Sequence, residues 1–197
     1  MPDTKRAHPL VLAPLENAET SRLSLRRFER EDLDALSAVF AKPEVWRFPF
    51  GRGFTRHETA QFLEYEIREW DLCGFGCWLA TEKSTGRVVG YVGISVPHYL
   101  PEILPAVEVG WRFDPDVWGR GFAAEGAGAA LDAAFNRLGL DAVCAVTQVE
   151  NLRSGKVCDR LGMKLERVVT LAPTPRRGAV DVNLYWTTRR EWLKLGC

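Results

Sequence analysis

The sequence predicts a single domain of the mixed α/β class, and three observations lead to this prediction. The chain has 197 residues, of which 46% are hydrophobic. That is the length of one domain, and it is enough to bury about 70% of the unfolded surface. Short apolar runs typical of strands alternate with longer segments of helical spacing. Near the middle, a turn with two glycines, residues 118–121, leads from such a strand into an Ala-rich helix; we call it the glycine turn.

The predicted domain follows a flexible tail. Residues 1–14 start polar and contain three prolines, so we expect a loosely held N-terminal tail, with the domain formed by residues 15–197. Residues 23–25 alternate between apolar and polar and predict the first strand. Residues 29–40 have apolar side chains at helical spacing and acids in the first turn, which predicts a helix.

A second helix and a hairpin come next. Thr55 and Glu58 have the spacing of a capping box, so we expect this helix to start there and to reach about Trp70. The runs 77–82 and 87–96 flank a short turn that contains glycine, which predicts an antiparallel hairpin.

The second half of the chain repeats the alternation of strand and helix. The strand 107–113 precedes the glycine turn, and the helix after Gly121 is expected to end at Gly139. The remaining predicted elements are a strand at 142–149, a helix at 152–161 and two last strands at 168–171 and 180–186.

Composition excludes several classes of function. The chain carries 26 basic and 26 acidic side chains, so its balanced charge favours neither a nucleic-acid nor a membrane partner. No apolar run approaches the roughly 20 residues of a spanning helix, and the N-terminus lacks the apolar core of a signal peptide. Cys73 and Cys77 have no second ligand pair, so we expect no metal. The five scattered cysteines are typical of a reduced, cytoplasmic protein.

The glycine turn has the features of an anion site. The first amides of a helix have no intrahelical partner and carry partial positive charge. Gly119 and Gly121 leave room for a phosphate to approach the backbone, and Arg120 adds a full charge.

Two other interpretations of the glycine turn stay open. An ordinary tight turn into a buried helix has the same pattern. A dinucleotide fingerprint would use Gly119, Gly121 and Ala124, but it requires an acid at the end of the following strand, and Asp141 precedes that strand.

Four parts of the sequence match a known family when they are taken together. They are 108–113 followed by 118–125, then 20–28, then 150–154 with 161–163, and finally 181–185 with 190–192. In this combination they resemble the GNAT superfamily of N-acetyltransferases, and most closely its RimJ/RimL-like branch, over roughly residues 15–195. The first part is similar to the acetyl-CoA-binding signature of that superfamily.

The resemblance implies both a fold and a reaction. The fold is a mixed, mostly antiparallel central sheet of about 6–7 strands that separates in the middle, with helices on both faces. The reaction is direct transfer of an acetyl group from acetyl-CoA to a primary amine, on a peptide or protein N-terminus or on a small molecule. A homodimer is one arrangement it allows. The alternative function is a CoA-binding regulatory or interaction module without catalysis.

The resemblance also implies which residues bind the cosubstrate. Backbone groups of the strand end and of the glycine turn would hold the pantetheine arm and the pyrophosphate, and Asn151 would orient the pantetheine amide or cap the next helix. The expected cofactor-binding residues are Trp111, Arg112, Phe113, Trp118, Gly119, Arg120, Gly121, Phe122, Ala123, Ala124, Asn151 and Ser154.

The catalytic residues implied are Glu108 and Ser154. Glu108 matches the glutamate of the superfamily's central strand and would act as general base, with a structural carboxylate as the alternative. A tyrosine seven residues after the asparagine often protonates the leaving thiolate, but that position is Cys158 here. Ser154 would instead hydrogen-bond the sulfur, and Cys158 is a weaker candidate for this role that is more typical of a small buried residue.

Aromatic side chains are expected around the acceptor. The segment 45–54, here called the aromatic segment, mixes aromatic, arginine and turn residues between two helices. Trp46, Phe48 and Phe50 are expected either to line the acceptor cleft or to fill the core. Tyr185 is expected either to face the cleft or to pack within the last strand.

Overall fold

The computed structural model describes Leu15 and residues 17–195, so the predicted N-terminal tail lies outside the described residues. The strands are β1 (Ala18–Glu19), β2 (Leu23–Arg26), β3 (Cys77–Glu82), β4 (Arg87–Ser95), β5 (Glu108–Phe113), β6 (Ala142–Gln148), β7 (Lys164–Leu171) and β8 (Val180–Thr188). The helices are α1 (Leu33–Phe40), α2 (Arg47–Phe50), α3 (Arg56–Cys73), α4 (Phe122–Asp132), α5 (Leu152–Arg160) and α6 (Arg189–Lys194).

All eight strands form one sheet in the order β1-β2-β3-β4-β5-β6-β8-β7. Every neighbouring pair is antiparallel except β5 and β6, which are parallel. The expected mixed, mostly antiparallel sheet is confirmed, with eight strands instead of about 6–7. The strand that was not predicted is β1, which has only two residues and therefore cannot show an alternating pattern.

Helices cover both faces of the sheet. On one face, α1 and α3 pack with Leu79 and Tyr91 around Phe40. On the other face, the Ala-rich helix α4 packs against Val92 and Val109, and Trp192 of α6 joins the same core. The side chains of β5 therefore alternate, with Glu108, Gly110 and Arg112 on the α1/α3 face and Val109 and Trp111 on the α4 face.

The sheet separates between β5 and β6. These two strands share a single register pair, Glu108 with Cys144, and the Cys144 N–H donates to the Val107 carbonyl at 2.9 Å. Beyond that pair, residues 109–113 and 145–148 diverge, although each strand remains paired on its other side. We call the gap between them the inter-strand cleft.

No helix among residues 17–195 is long and apolar enough to cross a membrane. Within the described part of the chain, no cluster of three His, Cys, Asp or Glu side chains could hold a metal ion.

Candidate active site

The inter-strand cleft exposes backbone groups of β5. In a strand, the N–H and C=O of every second residue point to the same edge. Because Val107 bonds to β6, Trp111 presents its backbone groups to that edge, where β6 has already moved away. Phe113 lies on the same edge, and its carbonyl accepts the indole N–H of Trp118 at 2.8 Å. The free edge at Trp111 can therefore pair with an extended ligand.

Glu108 lies at the point where β5 and β6 separate. Its side chain is buried, and Oε2 accepts a hydrogen bond from the Tyr99 hydroxyl at 2.6 Å. The carboxylate also accepts the N–H of Val146, a group left without a strand partner by the divergence of β5 and β6. Burial raises the pKa of Glu108 to about 7, and the two hydrogen bonds act in the opposite direction. A carboxyl group with this pKa can accept a proton near neutral pH.

The space beside Glu108 is open on the α1/α3 face. At Gly110, two residues along β5, no atom of the described residues beyond its two chain neighbours lies within 4 Å of where a Cβ would be. Arg112 follows on the same face and donates to the carbonyls of Val45 and Phe48, the latter at 2.9 Å. The side chain of Arg112 thereby connects the aromatic segment to the sheet. Its backbone remains on β5 beside the inter-strand cleft.

The glycine turn has the backbone conformation expected of a phosphate site. Gly119 and Gly121 have φ values of 78° and 85°, which favour glycine. Gly121 is the N-cap of α4 and supplies no side chain to the first amides of the helix. The amides of Phe122, Ala123 and Ala124 therefore precede the first α-helical bond, which runs from the Glu125 N–H to the Gly121 carbonyl at 3.0 Å. Phe122 itself is buried, so it offers a ligand only its backbone.

Three arginines surround the glycine turn. A Cβ built on Gly121 would lie 3.4 Å from Arg22 Nη2 and 3.8 Å from Arg160 Nη1. Arg120 forms an ion pair with Glu82 and lies over the Phe122 ring. These guanidinium groups add positive charge to the helix N-terminus.

Glu125 holds Arg22 in place. Its Oε2 accepts from Arg22 Nε at 2.6 Å, and Oε1 accepts from the Arg22 N–H at 2.8 Å and from the Thr20 hydroxyl at 2.6 Å. In addition, Arg22 Nη1 donates to the Arg120 carbonyl at 2.7 Å. The turn between β1 and β2 is thereby tied to the glycine turn.

The side chain of Trp118 packs against a neighbouring residue, in addition to the expected role of its backbone in the glycine turn. Its ring is partly exposed and lies under the guanidinium of Arg153, with 4.7 Å between Cζ and the ring centroid. Arg153 belongs to α5, which follows β6, and Trp118 belongs to the glycine turn, which follows β5. The contact therefore connects the segments that come after the two strands of the inter-strand cleft.

Asn151 and Ser154 lie at the start of α5. The Asn151 side chain accepts the Ser154 N–H at 3.3 Å, so Asn151 caps the helix, which was one of its two expected roles. Ser154 is half-buried. Cys158, the position of the expected tyrosine, is fully buried, and burial raises its pKa to about 12.

Tyr185 faces α5 from β8. It is buried, and its hydroxyl lies 3.3 Å from where a Cβ on Gly155 would be. Together with Asn151 it lines an open pocket of about 270 Å³ between α5 and β8. Tyr185 therefore packs within the strand and also borders a pocket, so both interpretations remain compatible with its position.

The three aromatic residues of the aromatic segment differ in burial. Trp46 is buried and stacks on Phe54, with 3.8 Å between ring centroids, which favours the core interpretation for its ring. Its indole N–H has no hydrogen-bond partner among the described residues. The guanidinium of Arg112 also lies over the Trp46 ring, with 3.8 Å between Cζ and the ring centroid. Phe48 and Phe50 are half-buried and remain candidates for the cleft.

Sequence reasoning missed four residues near this site: Arg22, Tyr99, Glu125 and Glu66. Arg22 and Glu125 lie within stretches that carried the resemblance, but their contact joins positions 103 residues apart. Glu66 is buried on α3 and accepts hydrogen bonds from Cys77, and burial raises its pKa to about 7. Its helical spacing with Leu63 and Trp70 was the one sequence signal that it faces the sheet.

Comparison with known proteins agrees with this geometry. A family model described as acetyltransferase (GNAT) domain matches residues 22–164. The N-acetyltransferase p20 of Bacillus licheniformis is 27% identical over 90% of this chain and 99% of its own length. The FsC-acetyl coenzyme A-N(2)-transacetylase of Aspergillus fumigatus is 32% identical over 89% of this chain and 77% of its own length.

A solved structure has the same fold. RimL, described as a ribosomal L7/L12 alpha-N-protein acetyltransferase in complex with coenzyme A, superposes with a TM-score of 0.71 at 19% identity. The match covers 88% of this chain and 98% of that one. The expected resemblance to the RimJ/RimL-like branch is confirmed at the level of the fold. With a family model spanning most of the sequence, the chain belongs to the acetyltransferase (GNAT) family and is an acyltransferase enzyme.

Proposed function

We propose that this enzyme transfers the acetyl group of acetyl-CoA to a primary amine, with Glu108 as the general base. The observation that carries the proposal is the position of Glu108. A buried carboxyl group with a pKa of about 7 lies where β5 and β6 separate, beside open space over Gly110.

The residues of this chain fit acetyl-CoA. Its phosphates suit the uncapped first amides of α4 together with Arg22, Arg120 and Arg160. The amide groups of its pantetheine arm suit the free edge of β5 at Trp111. Bound there, acetyl-CoA supplies an acetyl group already activated as a thioester.

Glu108 acts on the acceptor amine. An amine with a solution pKa between about 8 and about 10.4 arrives as a cation at neutral pH and is not nucleophilic until it loses a proton. The ionised form of Glu108 attracts this cation and then accepts its proton, directly or through a water molecule. Ser154, half-buried at the start of α5, is proposed to hydrogen-bond the sulfur of the leaving thiolate.

The acceptor is proposed to enter from the α1/α3 face. Glu108 and Gly110 lie on that face, and Phe48 and Phe50 of the aromatic segment flank it half-exposed. A carboxylate beside aromatic rings suits a cationic amine, because both the negative charge and the faces of the rings attract a cation. RimL is described as an alpha-N-protein acetyltransferase, which supports a peptide N-terminus as acceptor. The proposed acceptor class also includes small-molecule amines.

The proposal is tested by turnover. The purified protein is incubated with acetyl-CoA and a panel that contains a peptide with a free α-amine, the same peptide blocked at its N-terminus, a polyamine and an aminoglycoside. The expected result is release of CoA thiol together with a product heavier by one acetyl group. Tight CoA binding without transfer to any amine of a broad panel would contradict the proposal and favour a non-catalytic CoA-binding module.

A further inference from the structure

Tyr99 contacts the carboxylate of Glu108 from a loop outside the signature motifs. It belongs to the connection between β4 and β5, where the buried side chain of Leu100 anchors the chain next to it. Tyr99 is 50% exposed, but its hydroxyl oxygen lies 2.6 Å from Oε2 of the buried Glu108. A side chain that is half exposed therefore donates its hydroxyl to a buried carboxylate.

The other groups around Glu108 do not supply a charge that would stabilise the carboxylate. Four titratable side chains of the described residues interact electrostatically with Glu108. They are Tyr99 and the thiols of Cys77 on β3, Cys144 on β6 and Cys158 on α5. Burial raises the pKa of all three thiols, so they stay neutral near pH 7. Among the described residues, Glu108 is in no ion pair. The ionised carboxylate thus depends on two donors, the Tyr99 hydroxyl and the Val146 N–H.

We propose that Tyr99 is a positioning residue for the acetyl transfer: its hydroxyl fixes Oε2 of Glu108 and stabilises the ionised carboxylate. The remaining lone pairs of the carboxylate are then presented to the acceptor amine. This inference rests on the proposed role of Glu108 as general base. Because the hydroxyl favours the charged form, its removal raises the pH at which Glu108 becomes able to accept a proton.

The first experiment measures the titration of Glu108 in the free protein. Carbon-13 NMR of labelled glutamate carboxyl groups gives the midpoint, and the Glu108 signal is assigned by its loss in Glu108→Gln. In Tyr99→Phe the midpoint should rise by about one pH unit, the effect of losing one hydrogen bond to a charged acceptor. Tyr65→Phe is the matched control, because Tyr65 is an exposed tyrosine of α3. In this variant the titration midpoint of Glu108 should equal that of the wild type.

The second experiment measures kcat/KM against pH with one acceptor. The acidic limb of Tyr99→Phe should move to higher pH by the same amount, with a rate about tenfold below wild type at the foot of the limb and close to wild type on the plateau. In the Glu108→Gln background, Tyr99→Phe should have no further effect.

The outcomes separate this inference from the proposed function. An unmoved midpoint in Tyr99→Phe, or an equal loss of rate in both backgrounds, would overturn the role of Tyr99 while leaving Glu108 as the base. Full activity of Glu108→Gln would instead overturn the general base, and the NMR midpoint would still report whether the hydroxyl stabilises the carboxylate.

Discussion

The glycine turn offers a sharp test of cosubstrate binding through Gly121→Asp. A side chain at this position points between Arg22 Nη2 and Arg160 Nη1, which lie 3.4 Å and 3.8 Å from its Cβ. The new carboxylate would pair with these guanidinium groups and occupy the place proposed for a phosphate. Losing two charge-assisted hydrogen bonds to the phosphates, at about 1.5 kcal/mol each, should weaken CoA binding by roughly 100-fold.

A matched control separates binding from folding. Gly121 has a φ of 85°, so any side chain there adds strain of about 1–2 kcal/mol to the native state. Gly139, which follows the helical segment at its other end, has a φ of 67° and open space around its Cβ position. Gly139→Asp should therefore lose a similar amount of stability and keep its affinity for CoA.

Calorimetric titration with CoA, performed beside urea denaturation of each variant, distinguishes the two effects. We expect similar free energies of unfolding for the two aspartate variants and a large difference between their Kd values for CoA. A folded Gly121→Asp protein that binds CoA with wild-type affinity would refute the assignment of the phosphates to the glycine turn.

Three further predictions concern the α1/α3 face. Burial raises the pKa of Glu66 from its ordinary 4.5 to about 7, so native stability should fall as pH rises through this window, and Glu66→Gln should stabilise the protein by about 3 kcal/mol near pH 8.5 and by little near pH 5. Urea denaturation at both pH values measures this, and equal effects at the two would contradict it. Trp46→Ala should lower the free energy of unfolding by about 3–5 kcal/mol because its ring is core. Phe48→Ala should leave stability nearly unchanged and raise the acceptor KM more than that of acetyl-CoA; a normal acceptor KM would remove Phe48 from the cleft.

Local chemistry made much of the fold predictable. The capping box of Thr55 and Glu58 forms as expected, with the Thr55 hydroxyl accepting the Glu58 N–H. Gly121 ends the glycine turn and begins α4 because a left-handed φ is easy only for glycine. The start of β7 was missed by four residues, since residues 164–167 are exposed on both faces and show no alternation.

The candidate site was less predictable because its contacts join distant segments. The contacts of the Arg112 side chain could not be predicted from its position on β5, because they depend on the pairing with Tyr91 across the sheet. Trp46 could not be assigned to the core until Phe54 was known to stack on it. Tyr99 carried no signal at all, because its hydroxyl meets Glu108 only through the path of a loop.

Glu108→Gln tests the central claim most directly. The variant keeps the shape of the side chain and one oxygen that can accept a hydrogen bond, but it cannot take a proton from the amine. The measurement is kcat/KM for one amine from about pH 6 to about pH 10, with CoA affinity determined alongside. We expect a loss of about 10²–10⁴-fold near neutral pH, partial recovery at high pH where the amine arrives deprotonated, and unchanged CoA affinity. Wild-type rates across the whole pH range would show that Glu108 is structural and that the base lies elsewhere.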